Sequence, residues 1–215
     1  MEYKINIHAH TMFSDGNNTP LAMAMKAKEL EFTSLVITDH YYSDTTAHFS
    51  LNYEKMWLLN KAVKEAKKIL PIIAGIELEF HGEEILVFGS SAINSIMEMR
   101  ESGKNITKHF LLELKDKNDC AFILCHPGSP ANWKYLLPLL DGYEEFNSGR
   151  DLFAGRERGV LEGLVGWCNS DAHMSEQLER SYNLVDSKIK TEGDLIKYIK
   201  RKKQPVFKIT AEYNK

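Results

Sequence analysis

Short apolar runs alternate with amphipathic stretches along this chain, and that alternation is the strongest constraint on its fold. "YKINIHA" (3–9), "TSLVITDH" (33–40), "PIIAGIELEF" (71–80), "EEILVFG" (83–89), "CAFILCHPG" (120–128), "GYEEFN" (142–147), "GLVGWCNSDAH" (163–173) and "SYNLVD" (181–186) read as strands. Between them, "LAMAMKAKELE" after Pro20, "YEKMWLLNKAVKEAKKIL" (53–70), "NITKHFLLELKDKN" (105–118) and the closing "EGDLIKYIKRKK" carry helical patterns. "PVFKI" (205–209) ends the series. Such alternation predicts an α/β domain on a parallel sheet, open or closed into a barrel. No stretch rich in Pro, Gly or Ser interrupts it, so residues 1–215 read as one domain.

Charge and cysteine content narrow the setting. A net charge of −3 gives no global attraction to nucleic acid or anionic membrane. The basic cluster "KYIKRKK" (197–203) ends a helical pattern, where cations suit the helix dipole. No apolar run is long enough to span a bilayer, and the N-terminus enters a strand without a leader-like segment. Cys120, Cys125 and Cys168 are odd in number and sit in apolar contexts, as buried thiols of a reduced compartment do. A cytoplasmic protein is expected.

Residues able to bind metals gather at strand ends. His8 and His10 end the first strand, Asp39 and His40 the second, and Glu77 lies in the third. His126 ends "AFILC", and Asp171 and His173 end "LVGWCNS". Residues i and i+2 of a strand share a face, so "HAH" directs two imidazoles to one point. "DAH" repeats that arrangement if it remains extended. In an α/β barrel the C-terminal face carries the chemistry. Imidazole with carboxylate is a ligand set for zinc, manganese or iron. Cys125 precedes His126 and points to the other face of a strand, which argues against a Cys-His nucleophilic pair.

In this order, "HAHTMFSDG", "LVITDH", "GIELEF", "ILCHPG" and "CNSDAH" resemble the successive motifs of the PHP (polymerase and histidinol phosphatase) superfamily. The resemblance runs from about residue 5 to residue 186, and "GDLIKYIKRKKQPV" resembles the last helix of the family. It implies a distorted seven-stranded, TIM-like β/α barrel with two or three divalent metal ions (Zn, Mn or Fe) and hydrolysis of phosphoesters. It further implies that His8, His10 and Asp171 hold one metal and that Glu77 bridges it to a second, completed in part by His126. Asp15, His40 and His173 hold a third. Many members place a histidine where Glu84 falls here. Glu84 as an oxygen ligand, a depleted second site, and His81 swinging in are the alternatives, in that order.

Arg150 and Arg180 are candidates to bind a phosphate, since guanidinium matches phosphate bidentately. Asn147 and Asn169 are candidates to orient ligands. Arg156 and Arg158 read as helix-surface charges, and His81 and His109 as loop or surface histidines. His48 lies in a loop (41–49) placed to cover the site. The expected activity is metal-dependent phosphoester hydrolysis of a small phosphorylated substrate, with nucleic acid entering only as a nucleotide or short oligonucleotide. The competing readings are a metal-dependent C–N hydrolase and a metal-binding domain that has lost catalysis.

Overall fold

The computed structural model describes residues 1–42, 49–128, 130–150, 152–153, 161 and 163–210. Its strands are β1 (Tyr3–Asn6), β2 (Ser34–Ile37), β3 (His40–Tyr41), β4 (Ile72–Ala74), β5 (Ile76–Phe80), β6 (Glu83–Phe88), β7 (Ala121–Leu124), β8 (Gly142–Asn147), β9 (Leu152–Phe153), β10 (Val165–Asn169), β11 (Ser181–Val185) and β12 (Val206–Ile209). The helices are α1 (Pro20–Glu29), α2 (Tyr53–Ala66), α3 (Ser90–Glu101), α4 (Lys108–Lys117), α5 (Pro130–Trp133) and α6 (Glu192–Lys200).

Capping signals explain where helices begin. Thr19, Asn52, Thr107 and Thr191 each accept a backbone N–H of the first turn through their side chains. Pro20 occupies the first position of α1, where its missing N–H costs nothing. The start of α3 lacks such a residue, because its cap is Gly89. Glu192 of the last helix supplies the cap instead, accepting the Ser90 N–H at 2.9 Å and the Ser90 hydroxyl at 3.1 Å.

Strand pairing differs from the parallel sheet that alternation predicts. Two mixed sheets form, in the orders β12-β11-β1-β2-β4 and β10-β8-β7-β6-β5-β3, with β9 on β8. The pairs β1–β2, β2–β4, β3–β5, β7–β8 and β8–β10 are parallel. Most of the antiparallel pairing has one local and one long-range cause. His81 and Gly82, at φ 56° and 82°, make the tight turn between β5 and β6, because two residues of positive φ match strand twist. At the other edge β11 and β12 return to pair with β1 and with each other. Between the sheets, a single parallel bridge joins Ala9 to Ala172, and β2 and β4 run on directly into β3 and β5.

The parallel strands are buried on both faces, and their alternate residues enter two clusters. Val36 of β2 joins Ile5, Ile73, Leu86, Ile123 and Trp167 beneath α6, which adds Leu195, Ile196 and Ile199. Leu35 and Ile37 point the opposite way, toward α1 and α2 through Met23, Leu59 and Val63. No helix among the described residues is long and apolar enough to cross a membrane.

Gly89 combines a positive φ of 123° with close packing: a Cβ there would lie 2.8 Å from the Cys120 Cβ and 2.9 Å from the Asp119 carbonyl. We expect Gly89→Ala to lower unfolding stability by about 1–3 kcal/mol. Gly82→Asn, in open space at a φ that asparagine tolerates, should change it by less than about 1 kcal/mol. Urea titration followed by far-UV circular dichroism measures both.

Candidate metal centre

Seven segments deliver donor atoms to one end of the strands. His8 and His10 follow β1, Asp15 lies in the loop after them, and His40 opens β3. Glu77 stands on β5, paired with His40 in the register, while Glu84 stands on β6 opposite Glu79. Because β6 runs antiparallel, its first residues lie at the end where the parallel strands finish. His126 follows β7, and Asp171 and His173 follow β10.

Glu77 is the centre of this set. Its Oε1 lies 3.2 Å from His8 Nε2 and 3.3 Å from His126 Nε2. Its Oε2 lies 3.3 Å from His10 Nε2 and 2.9 Å from His40 Nδ1. Asp171 Oδ1 approaches His10 Nε2 at 3.0 Å and His8 Nε2 at 3.4 Å. Asp15 Oδ2 approaches His173 Nε2 at 3.2 Å and His40 Nε2 at 3.5 Å. Glu84 Oε2 stands 3.2 Å from His126 Nε2. Donor atoms lie within 4.8 Å of one another in three groupings: His8, His10 and Asp171; His40, Glu77 and Glu84; and His10, Asp15, His40 and His173. The second places His40 beside Glu77 and Glu84, and the third adds His10 to Asp15, His40 and His173, where the sequence reading puts neither.

These atoms are close without being satisfied. Among the described residues, five of the seven buried side-chain atoms lacking a hydrogen-bond partner belong here: His10 Nδ1, His40 Nδ1, both Glu77 oxygens and His126 Nε2. Buried polar groups are normally paired. Donor atoms packed at 2.9–3.4 Å that face inward without hydrogen-bond geometry fit cations between them.

Local backbone and buried partners hold the set in place. Asp39 accepts the Thr11 N–H and hydroxyl, each at 2.7 Å, and the Ser14 hydroxyl at 2.6 Å, which folds the loop that presents Asp15. His126 and Asp171 sit at φ 23° and 50°, left-handed conformations that cost energy for residues with a Cβ. Asp171 is therefore not extended, and "DAH" converges through this bend rather than by strand alternation. Cys125 departs from expectation for the same reason. Cys125 still enters the cluster of Ala121 and Ile123, but the alternation lapses at His126, and the thiol lies within 4.8 Å of donor atoms of Glu77 and His126. Burial, and then the nearby carboxylates, push that thiol well above its usual pKa, so it is no nucleophile.

Glu144, on β8, was not evident as a site residue in the sequence. It is buried, and Oε1 accepts from His8 Nδ1 at 2.8 Å. Asn169 and Asn147, expected to orient ligands, both donate to it, at 2.9 and 2.8 Å. Its only sequence signal is an acidic residue inside an otherwise apolar strand ending in Asn. Tyr42 was also missed; its ring stacks on His40 at 4.8 Å.

At the rim, half-exposed Arg150 places Nη2 3.6 Å from Glu84 Oε2 and Nε 4.0 Å from Asp171 Oδ2. Arg180 lies at the entrance to β11, where its carbonyl accepts the Thr210 N–H at 2.9 Å. His81 is exposed in the β5–β6 turn and packs on Phe80, away from the donor set, so Glu84 is the residue brought to the second grouping. His109 is exposed and pairs with Glu113 on α4. His48, Arg156 and Arg158 lie outside the described residues.

Without cations, protons take their place. Burial opposes charge on His40, but the carboxylates of Asp15 and Glu77 close beside it outweigh that and raise its pKa to about 10. His8, His126 and His173 are raised in the same way by their carboxylates, against burial. His10 is lowered, by burial. Asp15, Glu77 and Asp171 are depressed by the surrounding imidazoles, again against burial. The raised histidines stabilise the metal-free chain below their unfolded pKa near 6.5 and stop doing so as pH rises toward about 10. The depressed carboxylates stabilise it above about pH 4 and lose that effect as pH falls. We therefore expect the melting temperature of chelator-treated protein to fall between pH 6.5 and 10, and divalent metal to restore it in that range. A flat profile would mean that these imidazoles do not share protons with the carboxylates.

Residues 6–162 match the PHP domain family. An uncharacterized protein of Methanocaldococcus jannaschii is 25% identical across 81% of this chain and 84% of its own length. PsfC of Pseudomonas syringae has a similar structure, with a TM-score of 0.70 at 16% identity, over 99% of this chain and 93% of that one. A two-domain protein of Bacteroides vulgatus, described as containing a predicted PHP-like metal-dependent phosphoesterase, gives a TM-score of 0.69 at 17% identity over 97% of this chain. The present chain spans 65% of that protein's length. The lesion-specific endonuclease PfuEndoQ of Pyrococcus furiosus gives 0.65 at 17% identity, over 96% of this chain and 58% of that one. With more than half of its length matched, the chain belongs to the PHP domain family.

Proposed function

We propose that this protein is a metal-dependent phosphoesterase that hydrolyses a small phosphorylated substrate with water. The observation that carries the reading is the Glu77 carboxylate, buried and unpaired among four imidazoles. His8, His10 and Asp171 would hold one cation, Glu77 would be shared between it and a second held with Glu84 and His126, and Asp15, His40 and His173 would hold a third. Zinc, manganese and iron all suit these donors. Such cations supply Lewis acidity toward a phosphoryl oxygen and lower the pKa of water toward neutrality.

The chain's own groups do the rest. Asp39 and Glu144 keep the donors aimed inward, so little rearrangement accompanies the reaction. Arg150 stands at the open rim, where its guanidinium meets the non-reacting oxygens of a phosphate; Arg180 is a second candidate for that contact. The Ala9–Ala172 bridge and the continuity of β2 with β3 and β4 with β5 favour reading the two sheets as one distorted seven-stranded barrel, with the site at its mouth. Three buried free thiols fit a reducing compartment, and we place the protein in the cytoplasm.

Phosphate release from a panel of phosphomonoesters, nucleotides and short oligonucleotides tests the reading. Release should require added metal and stop with chelator. His10→Ala and Asp171→Ala should each lower turnover at least about 100-fold in a folded chain. Full activity in either would remove the mechanism. Arg150→Ala should raise KM about tenfold or more while kcat changes less, and Arg180→Ala should do the same if it also binds phosphate. Glu84→His should raise zinc affinity relative to manganese at the second position, read by competition with a chelating dye.

A further inference from the structure

We infer that Glu144 is a positioning residue that couples two of the proposed metal positions, so that they fill and empty together. The inference rests on the metal-dependent reading above. One buried carboxylate takes four hydrogen bonds. Oε1 accepts from His8 Nδ1 at 2.8 Å and from the Asn169 amide at 2.9 Å. Oε2 accepts from the backbone N–H of His126 at 2.8 Å and from the Asn147 amide at 2.8 Å. His8 belongs to the first proposed position and His126 to the second. Each oxygen therefore governs a different one.

The control is specific in each case. A hydrogen bond from Nδ1–H to Oε1 fixes the tautomer of His8 and leaves Nε2 as the lone-pair atom, the one facing Glu77 and Asp171. The bond to the His126 N–H holds a residue whose φ of 23° has no preference of its own for that conformation. The Asn147 amide also reaches Asp171 Oδ2 at 3.3 Å, so the same network touches a third donor.

Its members have no freedom to rearrange. Asn169 Oδ1 already accepts the Ile7 N–H at 3.3 Å and the Asn183 amide at 3.1 Å, which prevents the Asn169 amide from flipping. A glutamine at position 144 keeps the shape but has one oxygen and one NH2. Facing His8, that NH2 forces the imidazole proton onto Nε2, the metal-facing atom. Facing His126, it opposes a backbone donor that has nowhere to turn. Either way both positions are disturbed: the side facing the NH2 loses its acceptor, and the side facing the oxygen loses the carboxylate charge that strengthens its hydrogen bonds.

The test uses the full chain loaded with zinc, titrated with a chelating dye, with metal content measured at each step. Glu144→Gln should weaken two zinc ions together, each by about 10- to 100-fold, whereas His126→Ala should weaken one. In proton NMR of the zinc-loaded protein, the His8 Nδ1–H resonance should be strongly downfield in the wild type, and lost or shifted upfield in Glu144→Gln, where its acceptor is replaced by an NH2 or a neutral amide oxygen. If that variant does not fold, Glu144→Asp, which keeps the charge but shortens the reach, carries the test with a smaller paired loss. A variant that holds both zinc ions as the wild type does, or loses only one, overturns the coupling. A wild-type chain that binds no zinc, manganese or iron overturns the metal reading itself, and this inference with it.

Discussion

A carboxylate buried among imidazoles is the constraint around which the rest of this structure is arranged. Glu77 is removed from water, where an isolated anion is strongly disfavoured, and it makes no conventional hydrogen bond. Four histidines from three segments crowd it, two at each oxygen. Such an arrangement is tolerable only if positive charge resides between the groups. The protein can supply protons, or the surroundings can supply cations, and the fold is rigid in either case because its strands are packed on both faces. The site is thus a fixed cavity of negative and dipolar character, into which charge is delivered.

Around that centre the polar residues form a shell with a direction. Asp39 gathers the loop of Asp15, Asn147 connects Asp171 to Glu144, and Ser148, Ser170 and Ser181 link the neighbouring backbones. Toward solvent the pattern changes to Tyr42 stacked on His40 and Arg150 beside Glu84. The Arg150 guanidinium is half-exposed beside Glu84, so their contact is a weak one, open to exchange with an anion arriving from outside.

Much of the donor set was legible because histidines and acids at the ends of apolar strands are costly without a purpose. His8, His10, His40, Glu77, His126, Asp171 and His173 could be found on that basis, and the family resemblance brought in Asp15 and Glu84. Glu144 could not, since "GYEEFN" reads equally as a strand with a solvated acidic edge, and its partners come from residues 8, 126 and 169. The mixed pairing was also out of reach. Alternation of strands and helices shows which elements exist, whereas the direction of β6 depends on a two-residue turn and that of β11 on its long-range partner β1. The arguments about Cys125 and "DAH" failed at one point, the end of a strand. Period-two alternation stops there, and left-handed residues take over.

The pairing of β1 carries a consequence for how the molecule is made. One neighbour of β1 is β2, which follows soon after it, but the other is β11, near the far end of the chain. Synthesis therefore releases His8 and His10 first and Asp171 and His173 last. Until β11 emerges, β1 keeps an open edge, and contacts of such long range form slowly. On the metal-dependent reading proposed above, a cation captured by the early histidines would be held by an incomplete set and would exchange readily, so the choice of metal would fall late in folding, when the last strands close.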